Sequence, residues 1–182
     1  MDFEIKIIEF LQAGRTPFFD MAFQIISAIG SVVGVVALCL MFLLFKKNLC
    51  FWYLFTYGFV YLAVSVLKIS VARVRPFNAV DGIDNIGDVV TGFSFPSGHT
   101  ACATTMAIFV CYFLWQNFKT KPMRVSIVLF GLLFVGLVGL SRMYLGKHYL
   151  TDVLAGIAVA TIISTLGILL MRFINKRKRK NL

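Results

Sequence analysis

An all-α, multi-pass transmembrane helical bundle is the fold this sequence predicts, on three observations. The first is composition: 59% of the 182 residues are hydrophobic, 14% are charged and mean hydropathy is +0.87, values wrong for a soluble domain of this length. The second is the arrangement of the apolar residues in long uncharged runs, at 21–45, 48–67, 100–118, 125–141 and 153–171. A hydrocarbon core about 30 Å thick needs about 20 apolar residues per helix and tolerates about 17, so all five runs qualify as spans. The third is the segment ahead of them. In residues 3–11, Phe3, Ile7, Ile8, Phe10 and Leu11 are set against Glu4, Lys6 and Glu9. That pattern suits an amphipathic helix lying at the membrane interface. The expectation is one membrane-embedded domain over 1–182, with about five spans plus the N-terminal interfacial helix.

Each element has local signals. Ala13-Gly14-Arg15-Thr16-Pro17 breaks the first helix, and no cleavable signal peptide is expected, because residues 1–16 carry five charges and no unbroken apolar core. The first span is expected within 21–45, where Gly30, Ser31 and Gly34 permit close helix contact. The second starts near Phe51 and is expected to stay helical to Arg75, where Pro76 disfavours helix in the residue before it. Residues 76–96 form the only long loop, polar and turn-rich, with Asp81, Asp84 and Asp88 beside Gly82, Gly87 and Gly92. The third, fourth and fifth spans are placed at about 98–115, 125–141 and 152–172, followed by the basic run 176–180. Cys39, Cys50, Cys102 and Cys111 lie in or beside apolar runs without metal-ligand spacing and read as small hydrophobes.

Charge orients the bundle. One side holds Lys46, Lys47, Lys119, Lys121, Arg124, Arg172 and residues 176–180 and no acid, while all eight acids fall on the other. Cytoplasmic loops carry the excess of Lys and Arg, so the first side, with the C-terminal tail, is expected in the cytoplasm. The net charge of +10 therefore reflects an inner rim that meets anionic membrane lipids, with no nucleic-acid partner.

Three polar groups fall on the opposite side. Lys68 and Arg75 are seven residues apart, two turns if helical, and precede Pro76; alone they are weak evidence of a site and read more readily as snorkelling cations. Pro96-Ser97-Gly98-His99 opens the third span, offering helix-terminal amides, the Ser97 hydroxyl and a titratable ring to an anion; alone it reads equally as a capped helix start. In 141–152, Arg142 supplies a bidentate fork beside His148 and Asp152, which share a face if 148–152 is helical. Alone, this last stretch reads equally as interfacial anchors with a surface ion pair. Together the three provide what a tetrahedral oxyanion needs, positive charge for its equatorial oxygens, a nucleophile and a proton donor, and the chain's only two histidines lie within them.

Lys68-x6-Arg75-Pro76, Pro96-Ser97-Gly98-His99 and Ser141-Arg142-x5-His148-x3-Asp152 resemble, in order and spacing, the three signature motifs of the type 2 phosphatidic acid phosphatase superfamily, which also includes vanadium haloperoxidases and glucose-6-phosphatase. Within it, the chain resembles the bacterial membrane lipid phosphatases, those acting on phosphatidylglycerophosphate or undecaprenyl diphosphate. Many of these have six spans, and here a surface helix stands where the first would be. The resemblance implies that His148 is the nucleophile and forms a phosphohistidine, that Asp152 holds its tautomer, and that His99 protonates the leaving group and then activates water. It implies that Lys68, Arg75, Ser97, Gly98 and Arg142 hold the phosphate. No metal or other cofactor is expected, because the motifs offer one carboxylate. Arg73, Ser141 and Lys147 are left as structural or rim residues. The expected activity is metal-independent hydrolysis of a lipid phosphomonoester or diphosphate, such as undecaprenyl diphosphate, phosphatidylglycerophosphate or phosphatidic acid, at the extracytoplasmic face of a bacterial plasma membrane. A lipid phosphotransferase on the same scaffold and a non-catalytic anion-binding membrane protein stand as alternatives.

Overall fold

The computed structural model describes residues 2–180, which form eight helices and no strand. In chain order these are α1 (Asp2–Ala13), α2 (Pro17–Ile29), α3 (Val32–Phe45), α4 (Lys47–Val71), α5 (Pro76–Ala79), α6 (Gly98–Asn117), α7 (Lys121–Tyr144) and α8 (Leu150–Lys180). Four of them, α4, α6, α7 and α8, are long and apolar enough to cross a membrane, and α2 and α3 reach that length and hydropathy only when taken together as one broken span. Central α6 packs against α3, α4, α7 and α8. Because the spans alternate in direction, the C-termini of α4 and α7 and the N-termini of α6 and α8 gather at one end of the bundle, here the site end. The α3–α4 and α6–α7 junctions and the C-terminus of α8 lie at the other, the tail end.

The core sits in the tail half. Phe42, Tyr53 and Phe109 are fully buried with Val35, Leu38 and Met171 around them, and Tyr53 meets Phe42 and Phe109 edge-on at ring distances of 5.8 and 5.4 Å. Outward-facing Leu129, Phe130, Leu132 and Leu133 on α7 and Leu154, Ile162, Leu166 and Leu169 on α8 are exposed. A continuous apolar belt of that kind is stable in lipid and not in water.

Two expectations about helices are corrected. The first span is not one helix over 21–45: α2 and α3 meet at a 48° bend. Ser31 makes the break, its hydroxyl donating to Ala28 O at 2.6 Å at the end of α2 and accepting from Val33 N at the start of α3. The close contact expected there is present, since a Cβ on Gly30 would come 2.6 Å from a methyl of Val138 on α7. The second helix stops at Val71, not Arg75. Ala72 turns into the left-handed region at φ 49° and ψ 36°, and the Ser94 amide and hydroxyl then bond to Arg73 O, the hydroxyl also to Val74 O. Lys68 and Arg75 therefore do not share a helix face; Arg75 is brought in by the extended segment.

Helix α1 packs across the site end. Its Ile8 is fully buried against Ile83, Met143, Tyr149 and Val153, a contribution of about 1.5–3 kcal/mol, while Phe3 and Phe10 remain exposed. Gln12 ties the long loop down: its amide donates to Asp84 O and Tyr144 O and accepts from Asp84 N, each at 2.9 Å. Gly146 faces the same strand of loop at φ 72°, where a Cβ would come 2.2 Å from Asp84 O, so no side chain is tolerated there.

Candidate active site

The three sequence groups meet at the site end. His148 lies in the turn between α7 and α8 and is 2% exposed. Its Nδ1 is 3.6 Å from Asp152 Oδ2, an ion-pair distance longer than a hydrogen bond, and its Nε2 is 3.4 Å from Arg75 Nη1. The one-turn spacing read from the sequence thus holds its two residues together, although α8 begins only at Leu150. Asp152 instead reaches back as a cap, Oδ2 accepting from Tyr149 N at 2.9 Å. A carboxylate on the Nδ1 side favours a proton there, which leaves the Nε2 lone pair facing the cation.

Around that nitrogen stand the cations. Arg75, 4% exposed, is aimed by three carbonyls: Nε donates to Gly92 O at 3.0 Å, Nη1 to Lys147 O at 3.1 Å and Nη2 to Thr91 O at 3.4 Å. Arg142, 3% exposed near the end of α7, donates from Nη1 to the Ser27 hydroxyl of α2 at 2.5 Å, while its buried Nε and Nη2 have no partner among the described residues. Leaving such donors unpaired costs roughly 1–3 kcal/mol or more, a cost an oxyanion would remove. Lys68 donates to Phe93 O at 2.8 Å and shares the electrostatic surroundings of Arg75, Asp152 and Arg142.

The other face is the start of α6. Ser97, fully buried, caps its own helix, sharing a 2.9 Å hydrogen bond with the Thr100 hydroxyl, and its amide donates to Asp152 O at 2.9 Å. Its hydroxyl is thus engaged with the helix, and the first-turn amides of Gly98 and His99 are the free donors of this element. Gly156 lets α8 lie directly on it: a Cβ there would come 2.6 Å from Ser97 O. His99 is within electrostatic reach of Arg142, His148, Lys147 and Arg75. It lines a cavity of about 270 Å³ with Ser31, Val32, Tyr61, Ser65 and Lys68, beside the α2–α3 break. A larger cavity, about 820 Å³ between α4 and α8, is lined almost wholly by apolar side chains and holds no titratable group.

Burial sets the protonation in the turn. His148 is pushed down to about 3 by desolvation, with Asp152 opposing and Arg142 and Arg75 adding to the fall, so the ring is neutral and nucleophilic. Lys147 is lowered to about 8, first by burial and then by Arg142, with Asp88 opposing.

Sequence reasoning missed several participants. Arg73 is bonded to Asp152 itself, through Nη1 to Oδ1 at 2.7 Å. Glu4, in the helix read as interfacial, and Ser27, in the first span, hold Arg73 and Arg142. The one available signal was the position of Arg73, two residues ahead of Arg75; nothing local marks Glu4 or Ser27. Ser141, by contrast, bonds back to Val138 O at 2.7 Å within its own helix.

Comparison with known proteins places this geometry. Phosphatidylglycerophosphatase B of Bacillus subtilis is 37% identical over 100 residues, which are 54% of this chain and 46% of that protein. Lipid A 4'-phosphatase of Porphyromonas gingivalis is 31% identical over 175 residues, 90% of this chain and 70% of that protein. The chain thus spans from about half to about two thirds of the length of these relatives. The crystal structure of a transmembrane PAP2 type phosphatidylglycerolphosphate phosphatase from Bacillus subtilis superposes with a TM-score of 0.75 at 25% identity, over 97% of this chain and 86% of that one. The PAP2 superfamily model matches residues 49–179, taking in all three motif groups and every span but the broken one, and the chain belongs to that superfamily.

Proposed function

We propose that this chain is an integral membrane lipid phosphatase that works through a phosphohistidine on His148. The observation that carries the reading is the placement of the His148 ring between Asp152 on Nδ1 and Arg75 on Nε2, beside the unpaired buried N–H groups of Arg142. A phosphoryl group held by Arg75, Arg142, Lys68 and the Gly98 amide, with Ser97 fixing that helix start, would present phosphorus to Nε2. Attack forms the N–P bond and breaks the P–O bond to the lipid or to the bridging oxygen of a diphosphate, and His99 supplies the proton to the departing oxygen. His99 then takes a proton from water, whose oxygen attacks phosphorus and breaks the N–P bond, releasing phosphate. Asp152 holds the Nδ1 proton and balances the charge that forms on the ring. The steps require no metal.

Lipid phosphates are the substrate class, because the cavity beside His99 adjoins the α2–α3 break and lets a head group approach from the side of the bundle. Undecaprenyl diphosphate, phosphatidylglycerophosphate, phosphatidic acid and, from the Porphyromonas gingivalis relative, lipid A phosphates are the compounds to compare. The basic tail end is assigned to the cytoplasm and the site to the extracytoplasmic side of the plasma membrane of a bacterial cell, and residues 1–182 act as one domain.

The deciding experiment measures phosphate release from those lipids by purified protein in detergent with chelator present, wild type beside His148→Ala. Release by the wild type, inhibition by vanadate and a loss of at least about 10³-fold in the variant are expected. Wild-type turnover in the variant, or strong inhibition by chelator, overturns the mechanism. Labelled phosphate appearing on a lipid or sugar acceptor instead of in solution makes the protein a transferase.

A further inference from the structure

Arg73 sits in the extended segment between α4 and α5, directly after the left-handed Ala72, and its guanidinium joins three elements. Nη1 donates to the Thr151 hydroxyl at 2.6 Å and to Asp152 Oδ1 at 2.7 Å, Nη2 donates to Glu4 Oε2 at 2.8 Å, and the group lies 3.8 Å over the Tyr149 ring. Glu4 uses its other oxygen on the first turn of α8, accepting from Thr151 N at 2.8 Å and from its hydroxyl at 2.7 Å. Burial works against the Glu4 charge, but the Thr151 and Arg73 hydrogen bonds outweigh it and hold the carboxyl below its ordinary range. Both oxygens of Asp152, itself fully buried, are therefore fixed: Oδ1 by Arg73, Oδ2 by the Tyr149 amide with His148 beyond it.

We propose that Glu4 and Arg73 form a positioning relay through which the N-terminal helix α1 sets the orientation and effective charge of the Asp152 carboxylate behind His148. The inference rests on the phosphohistidine reading above. One cation is shared by two carboxylates. Glu4 draws part of the Arg73 charge away, so Asp152 is held in place yet keeps enough negative character to orient the imidazole and balance its charge. A lysine would carry the charge without the fork that reaches Glu4 and Asp152 at once. Neither residue touches the phosphoryl group; both act through Asp152.

The test compares wild type with Arg73→Ala, Arg73→Lys, Glu4→Gln and Glu4→Gln/Arg73→Ala, reading kcat, KM and the pH profile of kcat/KM, with Tm in detergent as the check on folding. The groups facing His148 are Arg75 before α5, Arg142 on α7, His99 on α6 and Asp152 on α8, with Lys147 beside it. Lys68 on α4 and Arg73 face Asp152. Only Arg73 or Glu4 changes among the variants, and the substrate's own ionisation is common to all.

Arg73→Ala is expected to lower kcat by about 10–100-fold with KM changed less than about threefold, and to move the acid limb upward, because an unscreened Asp152 favours the protonated ring. Glu4→Gln should have a smaller effect and move the limb the other way. Arg73→Lys should fall between, the double variant should be no worse than Arg73→Ala, and added guanidinium should restore part of the Arg73→Ala activity. Wild-type kcat and profile in Arg73→Ala overturn the proposal. So does a loss that tracks Tm, without limb shift or guanidinium rescue, which would mean a merely structural tie. If the wild type releases no phosphate from any lipid, the phosphatase reading falls and takes this inference with it; an active wild type with indifferent variants sinks the relay alone.

Discussion

At the site end Arg75, Arg142 and Lys147 are 4%, 3% and 4% exposed, whereas at the tail end Lys46, Lys47, Lys119, Lys121 and Arg172 are all exposed. The tail-end cations need no partner, since head groups and water solvate them. The site-end cations have been taken out of solvent, at a cost of several kcal/mol per ion unless they are well partnered. Arg75 and Arg73 meet that cost with carbonyls and carboxylates. Arg142 meets it only in part. Among the described residues, Arg142 is the buried cation left with unpaired N–H groups, and it lies within electrostatic reach of the buried His148 ring; a bound phosphate would complete it.

The comparison can be broken most sharply at Arg142. Arg142→Ala should reduce kcat/KM for a lipid phosphate by about 10²–10³-fold, measured by phosphate release, and the assignment of its unpaired N–H groups to the substrate fails if the loss is below about tenfold. Next is Gly156→Ala. Its methyl would press the backbone of α8 against Ser97 O, so a destabilisation of about 1–3 kcal/mol and roughly tenfold slower turnover from the displaced α6 start are expected from Tm and kinetics. An unchanged kcat would show that α6 tolerates movement.

The third prediction concerns acid. His148 titrates near 6.5 when unfolded and near 3 in the folded chain, so between those values the unfolded state binds more protons. Its contribution is complete above about pH 6.5 and is lost as pH falls toward 3, with a slope of at most about 1.4 kcal/mol per pH unit. Tm measured from pH 7 to pH 4.5 should therefore drop more for the wild type than for His148→Gln; equal drops would mean that the ring is not desolvated. Smallest of all, Lys119→Gln/Lys121→Gln at the tail end should leave phosphate release within about twofold. A larger change would erase the distinction between the two ends.

Much of this was legible in the sequence, for physical reasons that differ by residue. Spans announce themselves because a bilayer demands long uncharged runs, and the motif residues stand out because polar groups beside such runs are costly. The broken first span was not legible: Gly30, Ser31 and Gly34 read as a close-contact patch, and the break rests on the Ser31 cap on Val33, which only the structure shows. The end of α4 was misplaced because the stop is an alanine in the left-handed region, which carries no local signal. Arg73 was set aside because its partners, Glu4 and Asp152, lie 69 and 79 residues away, and no periodicity connects an N-terminal surface helix to a buried aspartate.

Helix α8 has one more consequence. It runs unbroken for 31 residues, roughly 46 Å at the rise of an α-helix, against a hydrocarbon layer about 30 Å thick. The excess emerges at the tail end carrying Arg172, Lys176, Arg177 and Lys178, residues that resist being drawn into the oily layer. Asp152 lies on the first turn of the same unbroken helix, so a shift of that basic spur along the membrane normal would be carried to the carboxylate behind the imidazole.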